Sequence, residues 1–149
     1  MAQYHERVPF VKTLADRMMQ RASVNGKIRT IAGRLCRFDL WEPKTFGYNK
    51  PMKHDDAERE YGPQIRRAFT YKALNKLIQG SAADQTKKAM VDCYEEGLVP
   101  LITVHDELCF SVESEIQAQK IKNIMETGLE LAVPSKVDQD LQLNWGDVE

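Results

Sequence analysis

The feature that most constrains this chain is the stretch 101–112, LITVHDELCFSV, in which three ionisable side chains interrupt an apolar run. On both sides of the interruption, β-branched and apolar residues predict two strands. His105, Asp106 and Glu107 lie between them. Because burying unpaired charge is costly, we expect a tight hairpin whose tip carries these three side chains into solvent or a cleft.

This hairpin tip has two interpretations. The adjacent carboxylates Asp106 and Glu107 repel each other, and a divalent cation would relieve the repulsion, which favours a site for a metal ion and a phosphate group. The alternative is an ordinary charged turn, although the tip lacks the Asn-Gly or Asp-Gly pair that is usual in tight hairpins. The residues of the tip leave both interpretations open.

Charge is distributed unevenly along the chain, although the formal net charge is only −1. Residues 1–38 contain eight Lys/Arg and two Asp/Glu, and residues 63–90 contain six and one. Residues 91–149 contain three and thirteen. Two basic segments and an acidic one suit a protein that binds a polyanion with one face and a metal with another. Ordinary charged helix surfaces are the alternative explanation.

The length of 149 residues predicts a single domain with its own core. No apolar run approaches the length of a membrane span, so we expect no membrane association. Three cysteines are scattered without a C-x-x-C pair, which argues against disulfides and zinc clusters and favours a reducing compartment: Cys36, Cys93 and Cys109. We therefore expect a cytoplasmic protein.

The N-terminal half divides into three predicted segments. Residues 4–24 form an amphipathic helix, with Pro9 near its start. Residues 27–31 and 34–38 form a basic β-hairpin. The segment 39–62 contains two prolines, two glycines and mixed charge, and it is expected to be a long flexible loop.

Two helices are expected next. The first begins at Pro63, and the second runs from Leu77 to a C-cap at Gly97. Residues 79–84 (QGSAAD) are mostly small. Small side chains let another backbone approach a helix closely, whether it belongs to the protein or to a nucleic acid.

The C-terminal part predicts one helix and one strand. Ser114 is the expected N-cap of the helix, and Pro134 is expected to close it. The alternating apolar residues of 137–145 predict a strand that joins the sheet of the 101–112 hairpin. These elements indicate an α+β fold with an antiparallel sheet covered on one face by helices.

Two motifs, in the order found here, resemble those of family A DNA polymerases, most closely the bacteriophage branch. Residues 104–107 (VHDE) resemble motif C of the family, and residues 75–84 (NKLIQGSAAD) resemble its N-x-x-x-Q-G-x-A-A-D segment. Further similarities extend over nearly the whole chain, at residues 4–9, 30–34, 133–134 and 144–145. The resemblance implies part of a polymerase palm, in which the motif C hairpin packs against helices.

The resemblance assigns catalytic roles to the hairpin tip. Asp106 is implied to be the motif C carboxylate that helps to hold two Mg²⁺ ions at the primer terminus. Glu107 is implied to be a supporting metal ligand, and His105 to lie near the 3′ end of the primer. The metals of such a site stabilise the attacking 3′-oxygen and the pyrophosphate leaving group.

The resemblance also implies contacts with primer–template DNA. Asn75 and Gln79 are expected to reach the minor groove, where amide donors meet acceptors that every base pair presents and can check pair geometry without reading sequence. Many family members have an arginine eight residues before this glutamine, where this chain has Tyr71. The remaining residues that we expect to bind DNA are basic: Arg34, Arg37 and Lys72.

The chain departs from the family pattern in one major respect. The family's first catalytic aspartate, in motif A, and its nucleotide-binding helix, motif B, have no counterpart in this sequence. We therefore expect a C-terminal polymerase part that is completed by a second polypeptide carrying motifs A and B. Only the assembled enzyme would then bind dNTP.

Two other interpretations remain. One is a non-catalytic remnant of a polymerase that binds nucleic acid through its basic helices and minor-groove amides. The other is a metal-dependent HD-type phosphohydrolase, suggested by the His-Asp pairs at 54–55 and 105–106. The latter is disfavoured for two reasons. That fold needs several metal-binding histidines, whereas this chain has three histidines in all. That fold also places its His-Asp pair on a helix, whereas residues 105–106 lie in the expected hairpin.

Overall fold

The computed structural model describes residues 7–45, 47, 49–144 and 146. The chain separates into two compact units, residues 1–81 and 82–149, and the single domain expected from length stays a prediction. Numbered in chain order, the elements are α1 (Pro9–Asn25), β1 (Lys27–Arg29), β2 (Leu35–Arg37), β3 (Trp41–Pro43), α2 (His54–Tyr61), β4 (Ile65–Arg67), a 3₁₀ turn (Thr70–Lys72), α3 (Ala73–Glu95), β5 (Ile102–Val104), β6 (Glu107–Cys109) and α4 (Glu115–Thr127).

Helix α1 confirms the first predicted helix within the described residues. Pro9 occupies its first turn, where the missing N–H costs no hydrogen bond. Gly26 ends it with a left-handed φ of 67° and donates its N–H to Ala22 O at 3.0 Å, a conformation that glycine adopts without a Cβ penalty. Residues 4–6 of the prediction lie outside the described part.

The predicted basic hairpin is also confirmed, in shorter form. Strands β1 and β2 pair antiparallel, with Ile28 opposite Cys36. Ile28 is 4% exposed and joins a small core in the first unit. The buried members of that core come from α1, the hairpin and the start of α3: Met18, Ala22, Ile28, Phe38 and Ala73.

The segment 39–62, expected to be a long flexible loop, contains strand β3 and helix α2, so the loop prediction is wrong there. Asp55 and Asp56 lie in the first turn of α2 and Arg59 in the last, the charge order that a helix dipole favours. Ala57 is completely buried. The prolines and glycines of the segment favour a loop, so the sequence predicts neither the strand nor the helix.

The helix expected from Pro63 is likewise wrong, because residues 65–67 form strand β4, paired antiparallel with β3. Ile65 is buried, and Arg66 on the following position donates to Glu42 Oε1 at 3.0 Å across the sheet. Phe69 then has a positive φ of 60°, which an α-helix cannot contain. Spacing of apolar residues alone could not distinguish this short strand from a helix turn.

Arg67 contacts several residues around the β3–β4 sheet. Its Nη1 donates to Phe38 O at 2.9 Å, and its guanidinium lies 4.5 Å from the centroid of the Trp41 ring. The same guanidinium occupies the space beside Gly26, where an added Cβ would lie 2.7 Å from its Cζ. His54 meets the Trp41 ring edge-on, with centroids 4.7 Å apart.

In the second unit, helix α4 begins as the sequence predicts. The Ser114 side chain accepts a hydrogen bond from the Gln117 N–H at 3.3 Å, which satisfies one free donor of the first turn. The helix ends at Thr127, where Gly128 donates to Ile124 O, rather than at Pro134. The local turn therefore stops the helix before the proline does.

The predicted final strand is wrong in the described residues, since 129–144 form no strand; Trp145 lies outside the described part. Instead, side chains hold this segment. The Gln85 amide donates to Ser135 Oγ at 2.7 Å, and the Val137 N–H donates to Glu126 Oε1 at 3.0 Å. Because a carboxylate already accepts the Val137 N–H, this residue does not need a strand partner for that group.

The α+β class is confirmed, but the described strands form three two-stranded antiparallel sheets rather than one sheet. Their pairs are β1–β2, β3–β4 and β5–β6. Among the described helices, none is long and apolar enough to cross a membrane.

Candidate functional site

The hairpin at 101–112 places the acidic residues in a tight turn. Strands β5 and β6 pair antiparallel, and Val104 lies directly opposite Glu107. The turn therefore consists of His105 and Asp106, while Glu107 begins β6 instead of belonging to the tip as expected. The side chains of all three predicted catalytic residues are exposed. The structure brings them together at one end of one hairpin.

The backbone of this turn is strained at His105, whose φ is 55°. Among the described residues other than glycine, only His105 and Phe69 have a positive φ. A side chain in this region costs on the order of 1 kcal/mol or more, and such residues cluster at functional sites. A two-residue turn with a positive φ at its first position normally uses glycine there. The absence of glycine was visible in the sequence, but the resulting strain was not.

Asp106 and Glu107 are suitable contributors to a magnesium site but cannot complete one. Mg²⁺ prefers oxygen ligands in an octahedral arrangement, and two adjacent carboxylates supply only part of such a set. Within the described part of the chain, no group of three or more His, Cys, Asp or Glu side chains is arranged to hold a metal ion. The hairpin therefore fits the metal as one wall of a site.

In the first unit, Asn75 and Gln79 lie on helix α3, four residues apart. Residues at this spacing share a face of a helix, and both side chains are exposed. Neither side-chain amide hydrogen-bonds to another described residue. Two amides on one open helix face are available to a ligand that presents acceptors at regular intervals.

The turn of the β1–β2 hairpin is fixed to α3 immediately after Gln79. The Ile31 N–H donates to Ser81 Oγ at 3.1 Å, and Arg34 Nη2 donates to Gly80 O at 2.8 Å. A Cβ at Gly80 would lie 2.8 Å from Thr30 Cγ2. The small side chains at Gly80 and Ser81 thus allow the β1–β2 hairpin to approach helix α3 closely. Of the two partners that the sequence left open, the protein's own backbone or a nucleic acid, the first is found here.

The three basic residues expected to bind DNA have different surroundings. Arg34 and Arg37 are both exposed, but only Arg34 donates to the Gly80 carbonyl, and the Arg37 side chain on β2 forms no hydrogen bond with a described residue. Lys72 Nζ lies 4.9 Å from the Phe69 ring centroid and 5.6 Å from that of Tyr71. Their roles in DNA binding, like those of the other predicted site residues, stay predictions.

Sequence reasoning missed the contribution of Ser81. Its hydroxyl donates to Leu77 O at 2.7 Å while it accepts from the Ile31 N–H, so both its donor and an acceptor site are used. A serine in a helix commonly bonds to the carbonyl four residues earlier. The contact with a hairpin fifty residues away in the chain leaves no local signal.

Comparison with known proteins identifies the family. The family model described as "DNA polymerase family A" matches residues 1–147. A DNA-directed DNA polymerase of Pseudomonas phage M6 is 43% identical over 143 residues, which cover 96% of this chain and 18% of that protein. DNA polymerase I of Bacillus subtilis is 38% identical over 124 residues, which cover 72% of this chain and 14% of that enzyme.

A solved structure is similar as well. The POL domain of Pol1 from M. smegmatis, in complex with DNA primer-template and dNTP, superposes with a TM-score of 0.62 at 31% identity. The match covers 89% of this chain and 22% of that one. The chain therefore spans less than a quarter of each of these three relatives. Because the family match extends over almost every residue, the chain belongs to DNA polymerase family A.

Proposed function

We propose that this chain supplies the motif C carboxylate and minor-groove contacts of a DNA-directed DNA polymerase. Asp106 is its catalytic metal ligand, supported by Glu107, and His105 lies near the primer 3′ end. Asn75 and Gln79 contact the primer–template duplex. The observation that carries the proposal is the exposed two-residue turn that presents Asp106 in a member of this family.

The chemistry of the residues supports these roles. When bound, Mg²⁺ stabilises charge on the attacking and leaving oxygens of nucleotidyl transfer. The hairpin holds the Asp106 and Glu107 oxygens at its exposed end, where a metal and a phosphate group have access. The amides of Asn75 and Gln79 donate to minor-groove acceptors that all base pairs share, so duplex geometry is tested at any sequence.

We further propose that polymerase segments carrying motifs A and B complete the palm and bring dNTP to the site. A magnesium pair needs more oxygen ligands than two adjacent carboxylates provide. The M. smegmatis relative is described with primer-template and dNTP, and these are the partners that we assign to the assembled enzyme.

Complementation tests the catalytic role. The purified chain is mixed with a polypeptide carrying motifs A and B, a primed template, dNTPs and Mg²⁺, and primer extension is followed on a gel. Asp106→Asn should lower the rate at least about 100-fold, since it removes the negative charge that would hold Mg²⁺ at the reacting phosphate. Asp140→Asn is the matched control, because Asp140 is exposed outside any helix or strand, and it should extend normally.

The other results distinguish the alternatives. Binding of primer–template without extension in any mixture would support the non-catalytic remnant and overturn the catalytic role.

A further inference from the structure

The outward face of the β1–β2 hairpin carries a pair of like charges. Lys27 on β1 lies directly opposite Arg37 on β2. The neighbouring pair, Ile28 and Cys36, faces the core, and because strand side chains alternate, Lys27 and Arg37 point away from it. Both side chains are exposed.

This pair is unfavourable in the free protein. Like charges directly opposite each other on paired strands have Cβ atoms only about 5 Å apart and destabilise the sheet. Neither Lys27 nor Arg37 forms an ion pair with an acidic side chain among the described residues. Asp39, two residues beyond Arg37, is exposed and forms no described ion pair either. An anion held between the two cations would remove the repulsion.

The other two cations of the hairpin have a different task. Arg29 Nη1 donates to Gly33 O at 2.6 Å and Arg34 Nη2 to Gly80 O at 2.8 Å. The hydrogen bond of Arg29 therefore stabilises the turn, and that of Arg34 connects the turn to helix α3. Four basic residues that look alike in the sequence, all of them exposed, thus divide into two whose side chains donate to carbonyl groups of the protein and two whose side chains form no hydrogen bond with a described residue.

We propose that Lys27 and Arg37 together bind one phosphate group of the primer–template backbone, and that Arg34 is a positioning residue that holds this hairpin next to Gln79. The inference rests on the proposed DNA contact of Asn75 and Gln79. Phosphate contacts set the register of a protein on a duplex while base-edge contacts report on the bases. The anchored hairpin would couple the two kinds of contact within the first unit.

Salt dependence distinguishes a phosphate contact from a structural role. Binding of the full chain to a fluorescent primer–template is measured by anisotropy from low to moderate salt. The double variant Lys27→Gln/Arg37→Gln should lower the slope of log K against log salt concentration by about 1, because one phosphate contact is lost, and each single variant should lower it by a smaller amount, with equal weakening on any sequence. Arg59→Gln is the matched control: it removes from the same unit one exposed charge, whose one ion pair among the described residues is with Asp56, and should leave the slope unchanged.

A second measurement excludes misfolding as the cause. Because Lys27→Gln removes the repulsion across the strands, the free variant should melt at a higher temperature than wild type while binding DNA less tightly. An unchanged slope in the double variant, with normal wild-type binding, would overturn this inference and leave the proposed function intact. Failure of the wild-type chain to bind any duplex would overturn this inference together with the minor-groove contacts.

Discussion

Gly80→Ala tests how closely the hairpin turn approaches helix α3. The added methyl group would lie 2.8 Å from Thr30 Cγ2, although Arg34 Nη2 and Cys36 Sγ remain at ordinary distances of 3.7 and 3.9 Å. Thr30 cannot easily move away, because it is 5% exposed and its Oγ1 accepts the Arg34 N–H at 3.0 Å. Carbon atoms normally approach only to about 3.5–4.0 Å.

Two opposing contributions determine the size of the effect. Alanine is better than glycine inside a helix by about 1 kcal/mol. Overpacking a fitted contact costs about 1–3 kcal/mol, so Gly80→Ala should lower the free energy of unfolding by about 1 kcal/mol. Thr30→Ser removes the opposing methyl and keeps the hydroxyl. In that background the same Gly80→Ala substitution should raise the free energy of unfolding by about 1 kcal/mol.

Urea denaturation followed by circular dichroism measures all four proteins, provided that the m-value stays constant. The expected coupling between the two sites is about 2 kcal/mol. If Gly80→Ala stabilises the wild-type background as much as the Thr30→Ser background, the close approach does not exist in solution. The explanation of residues 79–84 by hairpin packing would then be refuted.

Three further predictions concern the second unit. Ser114→Ala should cost about 1 kcal/mol of stability through loss of the N-cap, with Ser114→Asn as a control; equal stability of the two variants in urea would contradict the cap. His105→Val should destabilise the protein by about 1 kcal/mol relative to His105→Asn, because asparagine tolerates a positive φ and a β-branched residue does not; equal melting temperatures would argue against the turn. Burial, followed by the charge of Asp92, raises the pKa of the Cys93 thiol, so stability linked to this group falls as the pH rises through its folded pKa. Cys93 should therefore react with a disulfide reagent at alkaline pH more slowly than the other two cysteines, and mass mapping showing equal rates would disprove this.

Some elements were predictable because their signals lie within a few residues. The hairpin at 101–112 follows from three ionisable residues between two apolar runs, and Ser114 caps the helix that immediately follows it. Gly26 ends α1 where the sequence placed Asn25-Gly26. Each of these features depends on backbone conformation or on hydrogen bonds between residues no more than a turn or two apart.

The errors share another cause. Ile65, Ala68 and Phe69 have helical spacing, yet residues 65–67 form strand β4, whose partner β3 lies 24 residues away at the Arg66–Glu42 pair. Residues 137–145 alternate like a strand, but the described ones form none, and single side-chain hydrogen bonds hold Ser135 and Val137 instead. Apolar spacing over so few residues is compatible with either structure until a partner is known.

The sequence by itself determined the family, the hairpin that carries Asp106 and the part of helix α3 that carries Gln79, because motif order and local backbone preference are properties of neighbouring residues. Helix α3 begins at Ala73, four residues before the predicted start at Leu77, so the sequence did not place Asn75 on it. Only the tertiary structure decided which basic side chains of the first hairpin hydrogen-bond to carbonyl groups of the protein. Arg34 and Arg37 are equivalent in charge and lie three residues apart, but Arg34 reaches a carbonyl of helix α3. A partner 46 residues distant along the chain becomes a neighbour only when the chain has folded.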